Sequence, residues 1–296
     1  MTNLLTSCSL KNDSLALYDY LGKSTVPELP DIFVLARSMD KALRNRQVDD
    51  ATVNQPKCLN VSPRRFVNQV KGRHFVGFRQ RGKWILSDLD GDWVVALNLG
   101  MGGEIRLHAE DETPEAKREK VIFRLDNGQQ VWIHHWWFGH VHLVPRGRVD
   151  SHPQIGHLGP EPLADDFTVD DLRQMLEGKR GWIKKYLLDQ SFIAGIGNVY
   201  VQDMLWYARL HPKRTADSLT RQEIEGLYRA IRGVLNEGIR YGGGPGEQDI
   251  WGKKGLYQEH FRVGYKTGKA CPECGTIVEE LRVGSTTSYI CPHCQV

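Results

Sequence analysis

Between Ala51 and Ser87 the chain has no aspartate and no glutamate. With 36 acids among 296 residues, about four or five would fall there under random mixing. Lys57, Arg64, Arg65, Lys71, Arg73, Arg79, Arg81 and Lys83 stand there instead. A segment of one charge sign points to a polyanion, most often nucleic acid; a solvated basic face without a partner is the competing reading. No apolar run approaches the ~20 residues of a membrane span, so a membrane partner is not expected. The first 26 residues lack the apolar core of a secretion signal, and Asp13 and Asp19 set against Lys11 and Lys23 do not make an Arg-rich transit peptide. Cysteine is scarce: of six, four form two Cys-x-x-Cys pairs and only Cys8 and Cys58 stand apart. That excludes a disulfide framework and suits metal binding in a reducing compartment.

What is present reads as a globular chain, 40% hydrophobic and 25% charged, long enough for two domains or one domain with an appendage. Ile32, Leu35, Ala36, Met39 and Leu43 follow a 3.6-residue period, which predicts a helix over 30–45. From about 66 to 144 the period falls to two, in runs at 75–78, 84–86, 93–97, 121–125 and 131–133. Turn signals at Asp90-Gly91-Asp92 and Asp126-Asn127-Gly128 separate them, and the spacing suggests an antiparallel sandwich or barrel. After a Pro/Gly-rich link at 156–162 the helical period returns over 168–178, 180–190, 198–208 and 220–241, the last opened by a Thr220–Glu223 capping box. A glycine-rich loop, 242–246, leads to the cysteines. There are no internal repeats. The expected fold is α+β and multidomain: an N-terminal helix plus antiparallel β-sandwich (27–158), a helical domain (159–245) and a loop with a metal module (246–296).

The strongest local signal is Cys271-Pro-Glu-Cys274 followed by Cys291-Pro-His-Cys294, with residues 275–290 between them. Two such knuckles supply four thiolates to one tetrahedral Zn²⁺ in a zinc ribbon. Four cysteines leave no open coordination position, so the site reads as structural, with His293 facing outward. Gly195-Ile196-Gly197-Asn198 is a tight turn between helical segments. Asn198 is placed to cap the second helix, and free backbone N–H groups there could hold a phosphate; plain helix-turn-helix packing is the alternative. Gly100-Met101-Gly102-Gly103 follows a strand and could be only a turn with a core methionine. The dense aromatic run His134-His135-Trp136-Trp137-Phe138 favours core packing over base stacking when taken alone. Val26-Pro27-Glu28-Leu29-Pro30-Asp31 reads by itself as an extended, kinked lead into a helix.

Together these pieces resemble the formamidopyrimidine-DNA glycosylase and endonuclease VIII family. The resemblance runs from Pro27 to Gln295 and rests on Pro-Glu-Leu-Pro at 27–30, Arg-Gly-Lys at 81–83, Leu-Gly-Met-x-Gly at 99–103 and Phe138-Gly139. It continues with Leu-Leu-Asp-Gln through Gly-Ile-Gly-Asn at 187–198, His211-Pro212, and Cys-Pro-x-Cys-Gln at 291–295. It implies a base-excision repair enzyme, a DNA glycosylase with AP-lyase activity, in which a β-sandwich, a helix–two-turn–helix domain and a zinc finger clamp damaged or abasic double-stranded DNA. It further implies a monomer on a bacterial chromosome in the cytoplasm, with one structural zinc and no organic cofactor. Pro27 would be the nucleophile, Glu28 the adjacent acid, and Lys83 and Asn198, with the turn glycines Gly195 and Gly197, would hold phosphates. Met101 would fill the gap left by the extruded nucleotide. An N-terminal proline suits Schiff-base chemistry. At pH 7 a lysine amine is free less than ~0.1% of the time, an α-amino group more than ~10%.

Three features depart from the family pattern. The finger position that usually carries a phosphate-gripping arginine holds Thr286, and Arg282 is the candidate substitute. The loop that usually supplies an arginine to the opposite base is His134 to Gly139. Without a guanidinium it is expected to discriminate opposite bases weakly, with Trp136 or Trp137 stacking instead; Phe138 of the same loop is a further expected DNA contact. Oxidised purines narrowly precede oxidised pyrimidines as the expected lesion class. Finally, Pro27 is preceded by 26 residues, so as written its nitrogen is a tertiary amide. A GUG start at codon 26, printed as Val26, would leave Pro27 at the terminus after Met removal. A catalytically silent binder of damaged or abasic DNA is the alternative function, and a zinc-ribbon transcription factor a weaker third.

Overall fold

The structure is a computed structural model that describes residues 26–296; the extension assigned to the first 26 residues lies, but for Val26, outside the described residues. Helix α1, Leu29–Leu43, is organised by its apolar spacing and by its start. Pro30 sits in the first turn, where its missing N–H costs nothing, and the Asp31 carboxylate accepts the Glu28 N–H at 2.7 Å. The helix belongs to two cores at once. Leu29 packs with the helical module, whereas Ile32, Leu35, Ala36, Met39 and Leu43 pack into the β module. Its N-terminal end therefore lies at the seam between them.

The β module holds β1 (Val48–Val53), α2 (Pro63–Val70), β2 (Phe75–Arg81), β3 (Trp84–Leu89), β4 (Trp93–Asn98), β5 (Glu104–His108), β6 (Glu119–Leu125), β7 (Gln130–His134) and β8 (His140–Pro145). The strands form two antiparallel four-stranded sheets, ordered β1-β6-β7-β5 and β2-β3-β4-β8. Ile85, Val95, Leu97, Val141 and Leu143 from one sheet meet Val121, Phe123, Val131 and Ile133 from the other, so the expected sandwich is present. Alternation flagged β2, β3, β4, β6 and β7. Strands β1, β5 and β8 were not anticipated, because Asp49-Asp50, Arg106 and the histidines of β8 break the apolar count.

The helical module contains α3 (Val169–Leu176), α4 (Ile183–Leu188), α5 (Val201–Tyr207) and α6 (Arg221–Arg240). The Thr220–Glu223 capping box forms as expected, with both reciprocal bonds. The expected helix from residue 198 instead starts at Val201 behind Tyr200, so Asn198 is not its cap. The Glu28 carboxylate occupies the amide groups that a cap would have taken. The C-terminal hairpin pairs β9 (Glu279–Val283) with β10 (Thr286–Ile290). Its small core of Val263, Val278 and three of the cysteines leans on Trp206 of α5. Among the described residues no helix is long and apolar enough to cross a membrane.

Candidate active site and nucleic-acid interface

Glu28 stands just ahead of α1 and is 2% exposed. Its carboxylate reaches across the seam to the turn before α5. Oε1 accepts the Val199 N–H at 2.7 Å, and Oε2 accepts those of Gly197 at 2.8 Å and Tyr200 at 3.3 Å. The expectation that these free amides hold a phosphate is thus corrected: an internal carboxylate has claimed them. The Gly195 N–H is also taken, by Gln190 Oε1 at 2.9 Å. Asn198 is left as the member of the turn whose side-chain amide can still reach outward.

Both glycines are required by close approach. A side-chain carbon on Gly197 would lie 2.3 Å from Glu28 Oε1 and 2.6 Å from Lys83 Nζ, and one on Gly195, at φ +88, would lie 2.6 Å from Leu29 Cβ. Gly197 is therefore the point where Glu28 and Lys83 converge. Lys83 arrives on the β2–β3 turn, which is latched to the interdomain link. Arg81 bonds Glu161 at 2.8 Å and the carbonyls of Leu158 and Gly159, while the Gly82 N–H donates to Glu161 at 2.5 Å.

Burial dominates the electrostatics. It raises the Glu28 pKa to about 7, against the opposing pull of Lys83 and of the amides of Val199 and Tyr200. Burial also lowers the Lys83 pKa, opposed by Glu28 and Asp31. A carboxyl poised near neutrality can both give and take a proton at physiological pH. Asp31, which sequence reasoning left without a role, ties the site together. Oδ1 accepts from the Tyr200 hydroxyl at 2.8 Å and the Gly244 N–H at 2.7 Å, and Oδ2 holds the Glu28 N–H. The only hint was its place directly behind Pro-Glu-Leu-Pro. Pro27 is buried beside a cavity of about 20 Å³ lined by Asp31, Leu99, Gly103, Glu104 and Glu247, room for one water and not for a nucleobase. A larger hollow of about 660 Å³ lies on the helical module, lined by Asp170, Gln174, Asp217 and Ile224 among others, away from these groups.

On the β module, Met101 and the 134–139 loop are zipped together: the Met101 N–H donates to the Trp137 carbonyl at 2.9 Å, and the Trp136 N–H to the Met101 carbonyl at 3.2 Å. Trp136, Trp137 and Phe138 are 54%, 67% and 80% exposed, which overturns the core-packing reading of this run. His134 and His135 are its buried members; neither ring nitrogen of His135 finds a partner, and burial lowers its pKa to about 4. The acid-free segment is less one-sided in space than in sequence. Lys71 pairs with Asp50, Arg79 with Asp88 and Arg81 with Glu161, while Lys57 and Arg64 remain on the surface.

In the finger, the Sγ atoms of Cys271, Cys274, Cys291 and Cys294 all lie within 4.8 Å of one another. Separations of 3.4, 3.5 and 3.9 Å bracket the ~3.8 Å edge of a tetrahedron with ~2.3 Å Zn–S bonds. The four thiolates fit one structural zinc, and His293 is exposed, outside the set. Arg282 is exposed on β9 opposite Thr287, and the Thr286 hydroxyl is turned onto the Val283 carbonyl. Lys184, fully buried, holds the same strand from α4, its Nζ donating to the Thr287 carbonyl and to Ser288 Oγ, both at 2.7 Å. The Lys184-Lys185 pair gave no sign in sequence that one lysine would be internal.

A sandwich and a helical module whose seam is crossed by the Glu28 and Asp31 carboxylates, with a four-cysteine finger behind them, define a three-part class of DNA glycosylase. Three family models match in that order: the formamidopyrimidine-DNA glycosylase N-terminal domain over residues 26–136, its H2TH domain over 158–248, and the zinc finger found in FPG and IleRS over 268–296. The formamidopyrimidine-DNA glycosylase of Chloroflexus aurantiacus is 40% identical over 258 residues, covering 86% of this chain and 92% of that one. That of Herpetosiphon aurantiacus is 38% identical, covering 86% and 94%. Among solved structures, Lactococcus lactis Fpg (MutM) in complex with DNA containing N7-benzyl-Fapy-dG superposes with a TM-score of 0.86 at 27% identity, over 91% of this chain and 99% of that one. Lactococcus lactis Fpg with abasic-site DNA gives 0.85 at 27% identity, over 91% and 99%. The chain belongs to the formamidopyrimidine-DNA glycosylase family.

Proposed function

We propose that this chain is a base-excision repair enzyme that removes an oxidised or ring-opened base from double-stranded DNA and nicks the resulting abasic site by β-elimination. The observation that carries the reading is Glu28: a carboxyl next to Pro27, buried, held by three backbone amides, with its pKa raised to about 7. The Pro27 nitrogen attacks C1′, the base leaves with the C1′–N bond pair, and the proton shed by the proline nitrogen goes to the departing base. The sugar ring oxygen takes a proton from Glu28 as the ring opens, giving an iminium between Pro27 and C1′. The iminium acidifies the C2′ hydrogen. The Glu28 carboxylate left by ring opening takes that proton, and the C2′–H bond pair expels the 3′ phosphate. Lys83 and Asn198 hold backbone phosphates, and Met101 with Trp136, Trp137 and Phe138 supports the gap and the opposite base. Arg282 is the finger's candidate phosphate contact.

Three modules carry out this work, 27–158, 159–245 and 246–296, acting as a monomer on the chromosome in the bacterial cytoplasm; the relatives at 40% and 38% identity are bacterial. The nucleophile must be a secondary amine, which Pro27 offers only when nothing precedes it, so the active form is one that begins at Pro27. Borohydride trapping on abasic DNA tests the function: a covalent protein–DNA adduct from the form beginning at Pro27 is expected. Binding without an adduct would instead favour a silent binder of damaged DNA. Terminal sequencing of protein from the native gene tests the start, and finding Met1 or Thr2 would refute it.

A further inference from the structure

One buried side chain at the seam between the finger and the Gly195–Asn198 turn has no part in the reaction as described. Gln202, in the first turn of α5, is 1% exposed. Its Oε1 accepts the Tyr289 N–H at 3.1 Å. Its Nε2 faces three oxygens: the Asn198 carbonyl at 2.8 Å, Asn198 Oδ1 at 3.1 Å and the Thr287 carbonyl at 3.2 Å. The amide fits only this way round. Turned over, it would set its oxygen against three oxygens and its N–H groups against an N–H. Because Gln202 donates to Asn198 Oδ1, the Asn198 amide is fixed as well, with Nδ2 on the other side. Asn198 is half-buried, and among the described residues its Nδ2 has no hydrogen-bond partner.

We propose that Gln202 is a positioning residue for DNA: it locks the Asn198 amide with both Nδ2 hydrogens presented to a backbone phosphate. The same Gln202 amide ties that turn to β10 of the finger. An asparagine free to rotate offers a phosphate either its NH₂ or its oxygen, and only the first attracts. The lock matters more in this chain because Thr286 stands where a cationic side chain would otherwise share the grip. The inference rests on the reading of Asn198 as a phosphate holder.

The test is binding of a duplex containing a tetrahydrofuran abasic analogue, by fluorescence anisotropy, to the wild type, N198A, Q202M, Q202E and the N198A/Q202M double variant. Both N198A and Q202M should weaken binding about tenfold, the range for one hydrogen bond to a charged group. The double variant should be no weaker than N198A alone, because an absent amide cannot be misaligned. Q202E, which keeps the Tyr289 contact but turns an acceptor toward three oxygens, should bind more weakly than Q202M. Zinc release to a chelator should not change in Q202M. Wild-type affinity in Q202M, or losses that multiply in the double variant, would overturn the inference and leave Gln202 as a finger-docking group. Wild-type affinity in N198A would instead refute the underlying phosphate reading, and the inference with it.

Discussion

Replacing Glu28 by Gln separates two halves of the proposed reaction. The carboxyl is the proton donor for ring opening and its pKa is about 7. The donor form is therefore about 90% populated at pH 6 and about 10% at pH 8, which sets the alkaline limb of base excision. Below pH 7 protonation of the Pro27 amine opposes the gain, since an α-amino group titrates near 7.7–8.0, so the profile should be bell-shaped about neutrality. Glu28→Gln removes the acidic proton and should lower single-turnover excision by about 10²–10⁴-fold. Attack on a preformed abasic aldehyde needs only the amine, so borohydride trapping on abasic DNA should survive. The substitution is not structurally silent: an amide cannot accept on both sides, so one of the N–H groups of Gly197, Val199 and Tyr200 loses its acceptor, at about 1–3 kcal/mol. Burying Glu28 has its own signature. Its folded pKa lies above the ordinary 4.5, so the folded state holds the extra proton. That stability is complete below 4.5 and is lost as pH rises through about 7, by about 3 kcal/mol. Chemical denaturation from pH 4.5 to 8 should therefore fall more steeply for the wild type than for the glutamine variant. Excision within threefold of wild type, or a flat pH profile from 6 to 8.5, would falsify the assignment of Glu28 as the acid.

Gly197→Ala puts a methyl 2.3 Å from Glu28 Oε1 and 2.6 Å from Lys83 Nζ. It should cost about 1–3 kcal/mol in stability and depress excision and trapping alike, as thermal melting and single-turnover assays would show. Chelating the zinc should unfold the finger, whose small apolar core beyond three of the cysteines is Trp206, Val263 and Val278, with Tyr289 packed against it. Duplex affinity should drop and return on adding Zn²⁺, while the sandwich's far-UV circular dichroism stays. With Trp137 67% exposed and no arginine in the 134–139 loop, one lesion paired with each of the four bases should be excised at similar rates; a strong preference for cytosine would refute this. Trp137→Ala should weaken duplex binding by about 1–3 kcal/mol for every opposite base.

The sequence by itself determined a good deal. Period-two and period-3.6 patterns separated a sandwich from a helical module, because burying one face of a strand or helix leaves that imprint on residue order. Cys271, Cys274, Cys291 and Cys294 carried their metal in their spacing, since a knuckle is local. The Pro-Glu-Leu-Pro, Gly-Ile-Gly-Asn and other short stretches carried the family. Other features were not local, and only the tertiary structure decided them. Glu28 reaches 171 residues along the chain to the Val199 amide, which took the turn's backbone amides, though not the Asn198 side chain, out of the phosphate role first given to them. Three cations of the acid-free segment, Lys71, Arg79 and Arg81, found carboxylates at Asp50, Asp88 and Glu161. The aromatic run proved to be surface at its tryptophans and phenylalanine, because the loop closing on Met101 turns Trp136, Trp137 and Phe138 outward while His134 and His135 stay buried. Gln202 had no sequence signal, since an amide takes its meaning from the atoms that surround it. Composition and period report what a residue buries; charge and polarity acquire their roles from partners that only folding brings near.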